Sequence, residues 1–161
     1  MDKESMRRED RRTTEGEARA LLERGEYGIL SCVSRQGIPY GVPLNYCLLG
    51  RDICFHCAGE GKKLDNIEWN AQVSFCVVGK TEILPGEFAT IYESCIAEGR
   101  VVELFDAEKL LALEGLLQKY SADFMAEGLH YINTLKGQTR VFKIVVKSVS
   151  GKARKKRKSV Q

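Results

Sequence analysis

Apolar residues recur along this chain in two registers, one with a period near 3.6 residues and one near two, and the switches between them mark its elements. Thr14 to Glu17 reads T-E-G-E, the spacing of a capping box, and the ARALLERG behind it carries apolar residues at helical spacing with Gly25 as a stop. Three β-rich runs follow, YGILSCV, IPYGVPLNYCLL and ICFHCA, separated by the short turns SRQG and GRD. They predict an antiparallel meander. Pro39 and Pro43 cannot donate to a ladder, so the second run is expected to be bulged, irregular or at a sheet edge, with backbone left over for a ligand.

After Ala58, GEGKKLDNIEWN gives a glycine-flexed loop entering a short helix, and AQVSFCVVG returns to β character. TEILP and FATIYESCIAEGRVVEL continue the β series, with Glu93 to Val102 long enough for a central strand. DAEKLLALEGLLQKYS predicts an amphipathic helix capped by Asp106, and SADFMAEGLHYINTL a second one capped by Ser121. RVFKIVVKSVSG closes the series as a strand of clean alternation. About six or seven strands and four helices in mixed order, with no βαβ rhythm and no internal repeat, place the chain in the α+β class, built on an antiparallel β-barrel.

At 161 residues, 43% hydrophobic and 29% charged, the chain has material for one core and too little for two. It divides into a mixed-charge extension over residues 1–12, a folded domain over 13–151 and a basic tail over 152–161. No apolar run is long enough to span a bilayer, and MDKESMRREDRR lacks the apolar segment of a secretory signal, so a cytoplasmic protein with no membrane span is expected.

Six cysteines raise the question of disulfides or zinc, but Cys32, Cys47, Cys54, Cys57, Cys76 and Cys95 each lie within an apolar run. Cys54 and Cys57 have CxxC spacing on a strand, where an odd separation sends the two side chains to opposite faces. No metal site is expected, and the cysteines read as reduced, buried apolar residues.

The net charge of +3 comes from 25 basic and 22 acidic residues, yet KARKKRK, Lys152 to Lys158, holds six of the basic ones and leaves a body at −3. Such a run can displace counterions from a nucleic acid or an anionic surface, or it can be a solvated end. No aromatic residue interleaves it and no basic stripe continues it into the domain, so nucleic acid is not expected as a partner.

Candidate chemistry concentrates between Gly37 and Asn70. Gly61-Lys62-Lys63 sets two ammonium groups at the opening of a helix, where N–H groups and the dipole also favour an anion; the alternative is a solvated helix start. The spacing is neither that of a Walker A loop nor of a GxGxxG dinucleotide turn. His56 shares a strand face with Cys54 and Ala58 and could contact a planar ring or relay a proton, or else sit at the barrel rim on a backbone carbonyl. Asn45 and Tyr46 follow the second proline, and an Asn inside a strand asks for a polar partner or a turn. Trp69 and Met125 read as core or interface residues, and His130 and the late carboxylates show no catalytic or metal arrangement. A nucleophile elbow, an HExxH and a paired-acid motif are all missing, which argues against a hydrolase.

Taken in order, GIPYGVPLNY, FHCAGEGKKLDNI, VSFCVVG, YESCIAEGRV and the terminal SVSGKAR resemble the pyridoxamine 5'-phosphate oxidase-like, FMN-binding split-barrel family over about Met6 to Arg154, and within it the branch of the nitroimidazole-resistance proteins. Each piece is weak alone; the ordered set is specific. The resemblance implies a six-stranded split β-barrel that forms a homodimer and holds FMN in clefts between the subunits. It implies that Val42, Pro43, Leu44 and Asn45 line the isoalloxazine, that His56, Cys57 and Ala58 run beside the ribityl chain and ring, and that Lys62 and Lys63 hold the phosphate. Gly61 and Asn66 of the same motif count among the cofactor contacts, and Tyr92 and Ser94 approach the flavin from the same or the other subunit.

The implied activity is that of an FMN-dependent oxidoreductase acting on small conjugated acceptors such as nitroimidazoles and nitroaromatics, with NAD(P)H or an external reductase as donor and His56 as the candidate catalytic residue. The alternative is a non-catalytic module that stores or senses flavin, or binds haem as some split-barrel relatives do. True pyridoxamine 5'-phosphate oxidases carry an arginine-rich substrate-phosphate motif near the C-terminus. Here SGKARKKRK stands instead, so vitamin B6 oxidation is not expected.

Overall fold

A capping box starts the fold as its spacing predicts: Thr14 Oγ1 accepts from Glu17 N at 3.2 Å and Thr14 N donates to the Glu17 carboxylate at 2.9 Å, fixing the first turn of α1 (Glu15–Arg24). The computed structural model describes residues 6–155; the first five residues and the basic run beyond Lys155 lie outside the described residues. The meander then runs through β1 (Gly28–Val33), β2 (Pro39–Leu44), β3 (Cys47–Leu49) and β4 (Asp52–Cys57). The long second run is thus two strands, broken at Asn45 and Tyr46. After β4 come α2 (Lys62–Trp69), β5 (Gln72–Val78), β6 (Glu82–Leu84), β7 (Ala89–Leu104), α3 (Asp106–Tyr120), α4 (Met125–Leu135) and β8 (Arg140–Arg154).

All pairings are antiparallel, in the order β2-β1-β5-β7-β8-β4-β3, with β6 added to the start of β7. This is an α+β split barrel with eight strands rather than six. The two extra strands come from the break in the second run and from TEILP, which pairs with Ala89–Ile91. Both proline residues lie on β2, an edge strand, where the missing N–H groups disturb no second ladder. At the centre β7 and β8 pair from Tyr92↔Arg154 to Leu104↔Val141, and Lys147 is skipped where the register shifts between Glu98 and Gly99. Gly99 sits in this bulge because a Cβ there would lie 2.3 Å from the Val145 carbonyl oxygen.

Strand alternation creates two cores. Inward residues of the barrel, among them Leu30, Ile53, Phe55, Phe75, Ala97, Phe142 and Ile144, form one cluster that α1 and α2 close with Leu21, Leu22, Leu64 and Ile67. Phe55 stacks on Phe142 at 5.6 Å, and Tyr46 meets Phe75 edge-on at 4.9 Å. Each fully buried side chain of this size contributes about 1.5–3 kcal/mol. The outer faces of β3, β4 and β8 and the end of β7 carry the second cluster, in which Cys47, Cys54, Leu104 and Val141 pack beneath Ala112, Leu113 and Leu116 of α3. Cys54 therefore lies in the outer core and Cys57 against the inner one, on opposite faces as their spacing requires.

Several local expectations are corrected. Asp106 does not cap α3: Phe105 is the capping residue, no side chain accepts there, and Asp106 is the first residue of the helix, with a left-handed φ of 48°. The N-cap position falls on Phe105, whose side chain has no acceptor, and Asp is among the residues that tolerate a left-handed backbone. Ser121 likewise bonds through its carbonyl, to Phe124 N at 2.9 Å, and starts a 3-10 turn over Ala122–Phe124 rather than capping α4. The alternation of β8 is not clean, since the bulge shifts it, and the strand continues past Gly151 to Arg154. Trp69 lies outside the core of the chain: it is 56% exposed with Arg35 over its ring at 5.0 Å.

Candidate functional site

The break between β2 and β3 is a built feature. The Tyr120 hydroxyl, at the end of α3, accepts from Tyr46 N at 3.0 Å and donates to the Glu26 carbonyl at 2.6 Å. The buried Tyr46 hydroxyl donates to Leu22 O on α1. Backbone groups released from the ladder are thus satisfied by side chains, and Asn45 is left exposed at the kink. Along β2, Val42 and Leu44 turn inward onto the barrel core, so only their main-chain atoms can serve a ligand, whereas Pro43 and Asn45 face out. The far edge of β2 pairs with no strand among the described residues.

Asn45 and His56 line one cleft, about 290 Å³ in volume, between the outer sheet face and the helices α3 and α4. Leu113, Leu116 and Leu117 form its α3 wall, and Tyr131, Ile132 and Leu135 its α4 wall. Helix α4 buries none of its own residues completely and packs on α3, so it acts as a roof rather than as core. His56 is exposed as a residue, yet desolvation of its imidazole, and next the charge of Lys63, lower its pKa below the usual value. A neutral imidazole at the mouth of an apolar cleft can accept or pass on a proton. A second cleft on the other side of the kink is lined by Tyr27, Pro43, Leu44, Asn45 and Tyr120.

The motif that follows β4 supplies positive charge. Gly61, at φ 137° with nothing within 4 Å of the place a Cβ would take, turns the chain into α2, whose first turn has no side-chain cap. Lys62 Nζ lies 4.6 Å from the centre of the Tyr40 ring on β2, and Lys63 Nζ lies 5.7 Å from that of Phe55 on β4. Neither lysine makes an ion pair among the described residues. Uncapped N–H groups, two unpaired ammonium groups and open space beside a glycine are the donor set that a phosphate requires, so these residues fit the phosphate end of a nucleotide cofactor.

Of the residues expected at the site, the structure brings Pro43, Asn45, His56, Ala58, Gly61, Lys62 and Lys63 to the surface around the β2 edge, the end of β4 and the start of α2. Cys57 faces the barrel interior, where burial raises its thiol pKa. Asn66 is 3% exposed and donates to Cys32 Sγ at 3.4 Å, within the core. Tyr92 and Ser94 lie on β7, where their cross-strand neighbours are Arg154 and Lys152, and neither lines the cleft that holds His56. Tyr120 and the α4 roof were missed in the sequence. Their only signal is helical periodicity, which does not say what the helix covers.

One outer face of the sheet is uncovered. Pro43 stands opposite Ile29, Ile29 opposite Cys76 and Cys76 opposite Ile96, making an apolar row across four strands with Ile29 and Ile96 38% and 43% exposed.

Residues 14–153 match the family described as pyridoxamine 5'-phosphate oxidase. No curated protein matches the sequence. Among solved structures, one assigned to 5-nitroimidazole antibiotic resistance in Bacteroides thetaiotaomicron is similar with a TM-score of 0.75 at 20% identity, over 87% of this chain and 84% of that one. An FAD-binding protein from Mesorhizobium loti is similar at 0.63 and 24% identity, over 90% and 98%. An FAD and haem binding protein from Mycobacterium smegmatis is similar at 0.74 and 16% identity, over 89% and 73%. At these identities the likeness is one of fold. The family match spans nearly all the described residues, and with it the split barrel, the proline-bearing edge strand and the Gly-Lys-Lys helix start fall into place: the chain belongs to the pyridoxamine 5'-phosphate oxidase family.

Proposed function

We propose that this protein is an FMN-binding flavoprotein of the nitroimidazole-resistance branch, acting as a homodimeric oxidoreductase on small conjugated acceptors such as nitroimidazole and nitroaromatic compounds. The start of α2 carries the reading, because Gly61, Lys62 and Lys63 present uncapped N–H groups and two unpaired cations beside the edge strand. That donor set suits one phosphate, which favours a mononucleotide. Lys62 and Lys63 would hold it, and main-chain groups from Val42 to Asn45 would bond the edge of the ring. Bound flavin supplies hydride transfer.

The chain's own contribution is binding, dryness and proton delivery. The leucines of α3 and the roof of α4 keep water from an uncharged planar acceptor, and a 290 Å³ cleft suits a single ring better than a dinucleotide. His56 stays neutral near pH 7 because desolvation and Lys63 lower its pKa; its ring can take a proton from solvent and pass it to the reduced acceptor. The Pro43-Ile29-Cys76-Ile96 row ends at the same β2 edge, and its burial against a second copy would set two such sites at the subunit boundary.

Anaerobic titration of the FMN-loaded protein with NADPH, then with a 5-nitroimidazole, tests the activity. Bleaching of the flavin bands by the donor and their return on addition of the acceptor is the expected result; bound flavin that resists every donor and acceptor tried would leave a storage or sensing module. A haem-binding reading has one observation in its favour, since a neutral His56 imidazole in an apolar cleft is also an iron ligand, and a Soret band in the purified protein would support it.

A further inference from the structure

Cys47 and Cys54 stand directly opposite one another in the β3-β4 ladder, and both belong to the outer cluster beneath α3. Opposed residues of an antiparallel pair lie about 4.5–5.5 Å apart at Cα with their side chains on one face, within the roughly 4.4–6.8 Å that a disulfide spans. Both are free thiols, 3% and 0% exposed, and the Cys54 thiol donates a hydrogen bond to Cys47 Sγ. No other two cysteines face each other across a ladder among the described residues.

A cation stands beside this pair. Lys119, in the last turn of α3, holds its ammonium 3.6 Å from the centre of the ring of Tyr46, the residue before Cys47, and has no carboxylate partner among the described residues. The hydrogen bond from Cys54, helped by the charge of Lys119, outweighs burial and holds the Cys47 thiol below its ordinary pKa. When protonated, Cys47 Sγ donates to the Ala112 carbonyl of α3 at 3.3 Å, and a Cβ at Gly115 would lie 3.0 Å from it, so the helix crosses above the sulfur at a glycine. Leu113 and Leu116 belong both to the cluster around the thiols and to the wall of the His56 cleft, which sets the pair beside that wall.

We infer that Cys47 and Cys54 are a modification site, at which hydrogen peroxide forms a reversible disulfide across the β3-β4 ladder. The Cys47 thiolate attacks one peroxide oxygen; the O–O bond breaks, the sulfur is oxidised to a sulfenic acid, and the departing hydroxide takes up the proton that Cys47 lost on ionising. The Cys54 thiol then attacks that sulfur, the S–O bond breaks, and the oxygen leaves with the Cys54 proton as water. Two thiols and one peroxide thus give one disulfide and two waters. The loop so closed is already closed by the Gly50-Arg51 turn, so the bond adds little stability and acts as a switch rather than as a staple. Oxidation also removes the Cys47 hydrogen bond to Ala112, which loosens α3, a wall of the cleft, from β3.

The test treats the full chain with hydrogen peroxide, quenches it with catalase, denatures it and alkylates it with N-ethylmaleimide for mass spectrometry. Alkylated thiols are expected to fall from six to four, with the peptides of Cys47 and Cys54 joined, and to return to six after dithiothreitol. In Cys54→Ser the reaction should stop at a sulfenic acid on Cys47 that dimedone traps, and Lys119→Gln should slow disulfide formation about tenfold near pH 7. The inference is overturned if all six thiols stay alkylatable, if the link maps to another pair of cysteines or between chains, if Cys47→Ser still loses two thiols, or if Lys119→Gln is oxidised as fast. Proton NMR resonances of the His56 imidazole should shift on oxidation, and unmoved resonances would overturn the link to the cleft. Thermal melting checks that each variant is folded, and the wild-type thiol count decides even where one is not. Because thiols are counted rather than turnover, the result stands whether or not the chain holds flavin.

Discussion

The hydroxyl of Tyr120 takes the N–H of Tyr46 at 3.0 Å, and through that bond the last turn of α3 holds the kink that exposes Asn45 beside His56. Tyr120→Phe keeps the ring and removes the bond, leaving the Tyr46 N–H and the Glu26 carbonyl without it. Urea denaturation is expected to show a loss of about 1–3 kcal/mol. FMN affinity should fall with it, whereas an unchanged midpoint would mean that water replaces the hydroxyl.

His56 gives a pH signature with a definite sign. Its folded pKa lies below the reference of 6.5, so the unfolded chain binds the proton more readily. The stability associated with neutral His56 is present above pH 6.5 and is lost as pH falls from there toward the lowered folded value. His56→Gln should flatten that part of the pH-stability curve. Lys63→Ala removes the second cause of the shift, and proton NMR of His56 should then report a higher pKa than in the wild type.

The β7-β8 bulge admits no side chain at Gly99, where a Cβ would meet the Val145 carbonyl oxygen at 2.3 Å and Ile144 Cγ2 at 2.9 Å. Gly99→Ala forces the backbone apart at the sheet centre and should cost roughly 1–3 kcal/mol or more, read from the shift in denaturation midpoint. Gly41→Ala, where the nearest atom would be 3.5 Å away on the edge strand, is the control and should change little.

How far the sequence carried is clearest at these positions. The capping box at Thr14, the edge placement of the prolines and the turn into α2 were legible because each depends on a few neighbouring residues. Irregularity in the second run was expected from its prolines and Asn45; what was not legible is the Tyr120 hydroxyl, 74 residues away, that bonds Tyr46 N at the break. Asp106 and Ser121 have the composition of caps without the geometry. Likewise the pairing of Arg11 with Tyr92, 81 residues apart, is invisible to periodicity and depends on the register of β7 with β8.

The apolar row on the outer sheet face bears on assembly. Ile96→Lys places a charge at its β7 end while leaving the inner core untouched, since Cys95 and Ala97 are the inward residues there. Light scattering should give a dimer for the wild type and a monomer for the variant, and a monomeric wild type would contradict the assembly proposed.

FMN binding itself is tested most directly by the visible absorption spectrum of the purified protein during titration with FMN, beside a Lys62→Ala, Lys63→Ala double variant. The account predicts saturable binding with perturbed flavin bands in the wild type and a loss of affinity of at least about tenfold in the variant. A wild type that leaves the FMN spectrum unchanged at every concentration, or a double variant that binds FMN as tightly, would contradict it.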